Sequence, residues 1–207
     1  MNDKPTGLVA ILRGITPDEV LAVGSALVEA GFTAIEVPLN SPQPFDSIER
    51  LAAATPTACA VGAGTVLTVD DVARAQDAGA RIIVAPNADP DVISAAATRG
   101  LRPYPGVATP TEAFRAVAAG ARSLKLFPSD TVGISGMKAW RAVLPTDVEM
   151  LPVGGVDEHN LADWATAGAG GAGLGTNLYR PGDDAAEVGR RARTLQNIWS
   201  KAERTLR

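Results

Sequence analysis

The sequence predicts an α/β fold, a single (β/α)₈ barrel over residues 1–207, from three regularities. First, helix-forming residues followed by a small residue, Gly and an apolar run return at Gly31, Gly79, Gly100, Gly120 and Gly168. The steps between these glycines are 48, 21, 20 and 48 residues, the long ones covering close to two units. Second, Thr55-Pro56 and Leu144-Pro145 supply a helix stop where the glycine is missing. A Gly C-cap or a Pro terminator leading directly into an apolar run is the signature of a helix feeding a strand. Third, apolar segments alternate with helical patterns eight times, which suits a parallel sheet closed on itself.

Taken in order, the expected strands are residues 8–13, 34–39, 58–65, 81–86, 102–106, 123–127, 148–153 and 171–175. Thr16-Pro17-Asp18-Glu19 and Thr109-Pro110-Thr111-Glu112 read as capping boxes with Pro at the first helical position. Thr68-Val69-Asp70-Asp71 and Asp89-Pro90 are weaker helix starts. Residues 183–207, rich in Arg and Ala at amphipathic spacing, form the last helix rather than a nucleic-acid patch. An open doubly wound sheet is the alternative. It favours a Gly-rich fingerprint after the first strand, and Leu12-Arg13-Gly14-Ile15 is not one.

The chain of 207 residues carries no evident linker and is long enough to bury a core without staples. A formal charge of −4 argues against nucleic acid or an anionic membrane as the main partner. The one cysteine, Cys59, lies in an apolar run and reads as a small buried hydrophobe. With one Cys and one His, a Cys/His zinc cluster is impossible. His159 stands at a helix start and reads as a surface residue. No segment approaches membrane-spanning length, and Leu8–Leu12 is too short for a signal h-region. The cytoplasm is the expected compartment.

Strand alternation places the chemistry. In Ser123-Leu124-Lys125-Leu126-Phe127-Pro128 the leucines face the helices, which turns Lys125 and Phe127 inward. In Ala34-Ile35-Glu36-Val37-Pro38-Leu39 the aliphatic residues do the same and Glu36 points inside. The two buried charges can form a structural ion pair. Alternatively, a desolvated Lys125 is a neutral amine able to attack a ketone, with Glu36 moving protons. Strands seven and eight close with Val153-Gly154-Gly155-Val156 and Gly173-Leu174-Gly175-Thr176, Gly-rich ends that suit a phosphate. Arg13, beyond the first apolar run, overhangs the barrel mouth and can hold a carboxylate or phosphate.

The strings Ile11-Leu12-Arg13-Gly14, Glu36-Val37-Pro38-Leu39-Asn40-Ser41-Pro42, Gly62-Ala63-Gly64-Thr65-Val66, Lys125-Leu126-Phe127-Pro128 and Val153-Gly154-Gly155-Val156 run across nearly the whole chain. Together they resemble the class I aldolases that act on 2-keto-3-deoxy-6-phospho sugar acids. Within that family the Pro38–Pro42 string is similar to the 6-phosphogalactonate branch. The 6-phosphogluconate branch carries an Arg, near its phosphate, where Asn40 stands here, so phosphate binding is left to the glycine turns. The resemblance implies Lys125 as Schiff-base nucleophile and Glu36 as acid/base. It implies substrate contacts from Arg13, Thr65, Gly155, Gly175 and Thr176. Thr176 stands where Ser is common; its hydroxyl can serve likewise, and its extra methyl is expected to crowd the phosphate. The resemblance further implies a homotrimer, a phosphorylated 2-keto-3-deoxy sugar acid as the small-molecule partner, and neither metal nor other cofactor. Three readings compete with it: the same reaction on the gluconate epimer, a phosphate-barrel isomerase or synthase using Lys125 as acid/base or charge clamp, and a catalytically silent sugar-phosphate binder.

Overall fold

The computed structural model describes residues 6–205, over which strands and helices alternate. The order is β1 (Gly7–Ile11), α1 (Val20–Glu29), β2 (Ala34–Pro38), α2 (Pro44–Ala54), β3 (Ala60–Gly64), α3 (Val69–Asp77), β4 (Ile82–Val84) and α4 (Pro90–Thr98). It continues with β5 (Arg102–Tyr104), β6 (Gly106–Val107), α5 (Pro110–Ala118), β7 (Ser123–Leu126), α6 (Ser129–Arg141), β8 (Glu149–Pro152), α7 (Leu161–Thr166), β9 (Gly171–Leu174) and α8 (Ala185–Thr205).

All paired strands are parallel. One sheet runs β5-β4-β3-β2-β1-β9 and the other β6-β7-β8. They are joined at β8 and β9 by the Val153–Gly173 bridge and by Gly170 N–H donating to Met150 O at 3.0 Å. The chain itself joins them again between β5 and β6. The result is a curled parallel sheet with helices outside.

The helix-facing residues, including Leu8, Ile35, Val37, Val61, Leu124 and Leu126, form one large core. The opposite face makes a second cluster of Val9, Ala34, Ala60, Ile82, Val84, Tyr104 and Leu151. That cluster unites strands from both sheets, which only a strongly curled sheet allows. The two-residue alternation read from the sequence is therefore the physical division between inside and outside.

A polar group caps the same face at the strands' N-terminal ends. Glu149 accepts from Thr6 N–H at 2.9 Å, from the Thr6 hydroxyl and from Ser123 Oγ at 2.6 Å. Thr6 Oγ1 and Tyr104 Oη are 2.9 Å apart, so Tyr104 joins this group through Thr6.

Two local expectations need correction. The expected strand 102–106 is broken at Pro105, which cannot donate to the ladder, so β5 and β6 are separate. Thr16–Glu19 is not a full capping box. Glu19 accepts from Thr16 N–H at 3.1 Å, but Thr16 Oγ1 donates to Glu19 at 2.6 Å instead of accepting a backbone N–H, and α1 starts only at Val20. The Thr109–Glu112 box is complete, and Thr68 and Asp89 both cap their helices. Each repeated glycine sits just past its helix at positive φ, from +75° at Gly100 to +114° at Gly120. Cys59 is buried and His159 is exposed, as expected.

Candidate active site

β2 places Glu36 opposite Ile11 of β1 and Gly62 of β3. Its side chain is inside the curled sheet and only 2% exposed. The space for it comes from Gly64: a Cβ there would stand 1.8 Å from Glu36 Oε2. Sequence reasoning took Gly62-Ala63-Gly64 as a strand ending. Small residues at alternate positions, next to a strand carrying an inward Glu, were the signal for a carboxylate pocket.

β7 places Lys125 opposite Gly106 and Leu151, also inside and 8% exposed. Its Nζ lies 4.6 Å from the centroid of the Phe127 ring, a cation–π distance. Phe127 itself is partly exposed at the sheet's C-terminal rim.

Lys125 and Glu36 are not an ion pair. Among the described residues every ion pair lies elsewhere, and Glu36 Oε2 has no hydrogen-bond partner. Burial pushes the Glu36 carboxyl up to about 7, against the downward pull of Lys125 and Arg13. Burial also lowers the Lys125 ammonium below its ordinary value; Glu36 opposes the fall and Arg13 adds to it. Both charged forms are disfavoured by desolvation, the condition for an amine nucleophile and a carboxyl that exchanges a proton near neutrality.

Arg13 lies two residues past β1, in a turn on the rim. Its Nη1 donates to Asn40 Oδ1 at 2.6 Å and its Nη2 to Thr65 Oγ1 at 3.5 Å. Thr65 follows β3 with φ +56°, an uncommon conformation for a β-branched residue. The first rim cluster thus joins Arg13, Thr65 and Asn40 around Glu36. Asn40 was read only as the replacement of an arginine; nothing local in sequence announced its bond to Arg13.

The second rim cluster is the pair of glycine turns. Gly154 and Gly155 after β8 have φ +91° and +72°. Gly175 after β9 faces open space, with no atom within 4 Å of a Cβ placed there, and Thr176 is exposed. Asn177 Nδ2 donates to Val156 O at 2.9 Å, tying the two turns together, and Asn160 Nδ2 donates to Gly155 O at 2.7 Å. His159, largely exposed beside Glu158, is outside both clusters.

A parallel curled sheet with a desolvated lysine and a carboxyl pushed up to about 7 inside it has the chemistry that a lysine-nucleophile enzyme requires. The chain belongs to the KDPG and KHG aldolase family, whose model matches residues 3–190. Of its relatives, the probable 2-dehydro-3-deoxy-6-phosphogalactonate aldolase of Rhizobium meliloti (strain 1021) is 55% identical over 185 residues, covering 89% of this chain and 87% of the relative. The 2-dehydro-3-deoxy-6-phosphogalactonate aldolase of Escherichia coli (strain K12) is 46% identical over 195 residues, covering 94% and 95%. The solved native KDPGal structure superposes with a TM-score of 0.93 at 46% identity, covering 95% of this chain and 96% of that one.

Proposed function

We propose that the protein is a class I aldolase that cleaves 2-dehydro-3-deoxy-6-phospho-D-galactonate to pyruvate and D-glyceraldehyde 3-phosphate. The observation that carries this reading is Lys125 itself: buried, in no ion pair, its ammonium destabilised, and sharing an interior with a carboxyl whose pKa is about 7. The two relatives named for this aldolase support the galactonate branch.

One proton shared by Lys125 and Glu36 suffices for the whole cycle. The neutral amine adds to the C2 ketone, and Glu36 donates its proton as the hydroxyl leaves as water, giving an iminium ion. Glu36, now a carboxylate, takes the proton of the C4 hydroxyl, directly or through water. The C3–C4 electron pair flows into the iminium, the aldehyde departs and an enamine remains. Glu36 returns the proton to C3; water then adds to the iminium, pyruvate leaves and the proton comes back to the pair. Glu36 alternates as acid and base, which a pKa near working pH favours.

Arg13 is coupled electrostatically to both Lys125 and Glu36, so it suits the C1 carboxylate next to the reacting ketone, with Thr65 beside it. The turns at Gly155, Gly175 and Thr176 suit the phosphate at the far end of the substrate, where bare backbone approaches an anion closely. The fold we propose is a closed eight-stranded barrel and one domain, with β5 and β6 as one interrupted strand. The Val153–Gly173 bridge supports closure between β8 and β9. The chain would work in the cytoplasm as a homotrimer. Light scattering should then give three times the 21.2 kDa chain mass, and a monomer mass at working concentration would reject the trimer.

Borohydride added with pyruvate should leave a reduced adduct on Lys125, and a pyruvate-release assay should favour the galactonate over the gluconate epimer in kcat/KM. An adduct with the reverse preference would move the protein to the gluconate branch. No adduct would favour an isomerase, a synthase or a silent binder.

A further inference from the structure

Arg13 carries the one cationic fork in the first rim cluster, and the groups holding it are all neutral. Asn40 Oδ1 takes Nη1 at 2.6 Å and Thr65 Oγ1 takes Nη2 at 3.5 Å. Among the described residues no carboxylate forms an ion pair with it, although surface arginines elsewhere, such as Arg50, Arg122 and Arg190, are paired with Asp or Glu. A guanidinium has five N–H donors. One is fixed by the Asn40 carbonyl, a second reaches Thr65 only at 3.5 Å, and among the described residues no anion offsets the charge of the fork.

The loop bearing Asn40 is built for this. Ser41, buried at 8%, accepts from Gly14 N–H through its Oγ at 2.9 Å, so the side chains of residues 40 and 41 hold the turn at the Arg13 side chain and the Gly14 backbone. Ser41 N–H in turn donates to Pro38 O at 2.9 Å, and Leu39 N–H to Gly64 O at 2.8 Å, which ties the loop to the ends of β2 and β3. Those are the strands that carry and accommodate Glu36.

We infer that Asn40 is a positioning residue for the proposed aldolase reaction: its neutral carbonyl aims the Arg13 guanidinium at the substrate carboxylate without neutralising it. The inference rests on the proposed reaction in assigning Arg13 a substrate anion. An aspartate at 40 has the same reach and an acceptor in the same place, but it would satisfy the cation internally and compete with the substrate. It would also offset the field by which Arg13 favours the neutral amine of Lys125.

Asn40→Asp and Asn40→Ala, both at an exposed position, separate aiming from charge. For Asn40→Asp, KM for the phosphorylated keto acid should rise at least about tenfold, the Kd for pyruvate should rise in parallel, and the acid limb of the kcat/KM–pH profile should move to higher pH. For Asn40→Ala, KM and the pyruvate Kd should rise by less, and the acid limb should stay in place because Arg13 keeps its charge. Thermal melts confirm that both variants fold. A purely structural Asn40 would lower the Tm and leave the acid limb where it is in both. Wild-type KM, pyruvate Kd and pH profile in Asn40→Asp overturn the inference. A wild-type protein that turns over and forms the Lys125 adduct isolates that failure from failure of the aldolase reading. A wild type that does not hold pyruvate overturns both.

Discussion

At the residue scale, Glu36 shows what burying an ionisable group costs the fold. Its carboxyl is raised from 4.5 to about 7, so the folded protein holds a proton there that the unfolded chain has lost. Stability from this group is therefore full below about pH 4.5, falls as pH rises towards 7, and stays low above it. The difference corresponds to roughly 3 kcal/mol for this 2%-exposed side chain. Glu36→Gln removes the titration. It should abolish pyruvate release, melt above wild type at pH 8 and close to it at pH 5. Equal melting of the two proteins at both pH values would contradict a desolvated carboxyl. In the proposed cycle the Lys125–Glu36 pair holds one proton, so kcat/KM should climb as pH rises through about 7 and the pair sheds its second proton. The inward direction of both side chains was legible from alternation alone. The decision between ion pair and chemistry was not, since a pattern of period two fixes faces but not the distance between two side chains.

At the element scale, strand ends carry function through what they lack. Gly64 is the clearest case, since any side chain would collide with the Glu36 carboxylate. Gly64→Ala should fold, because its backbone is ordinary strand, yet lose most activity as Glu36 is displaced; circular dichroism with a turnover assay checks both halves. Helix ends tell the opposite story. The Thr109–Glu112 box lies on an exposed helix start, and its hydrogen bonds stay within residues 108–112. Thr109→Ala should cost about 1 kcal/mol in denaturant titration and leave kcat unchanged. The glycine caps, the Pro stops and this box were readable because each acts within a few residues. The Thr16 turn was misread because its hydroxyl donates to Glu19 and does not accept a backbone N–H, a choice between two local bonds that the residue pattern leaves open. The break at Pro105 follows from its missing N–H, which the reading of 102–106 as one strand overlooked.

For the whole molecule, the two ends of the curled sheet carry different polar groups, and the proposed chemistry uses only one of them. Lys125, Glu36 and both rim clusters lie at or towards the strands' C-terminal ends. At the other end Glu149 collects Thr6, Ser123 and, through Thr6, Tyr104, linking β1, β5, β7 and β8. The apolar layer of Val9, Ala34, Ala60, Ile82 and Leu151 separates the polar groups of the two ends. Glu149→Ala leaves the buried hydroxyls and the Thr6 amide without their shared acceptor. A cost of about 3 kcal/mol is expected for such a charge-assisted group, and for a chain of this size that lowers the Tm on the order of 10 °C. Below the new melting point, the variant should still form the borohydride-trapped pyruvate adduct on Lys125 with near-wild-type KM. A variant that melts normally would show that the cap does not hold the two sheets together. A folded variant that no longer traps pyruvate would show that the apolar layer transmits changes at the cap to the catalytic end.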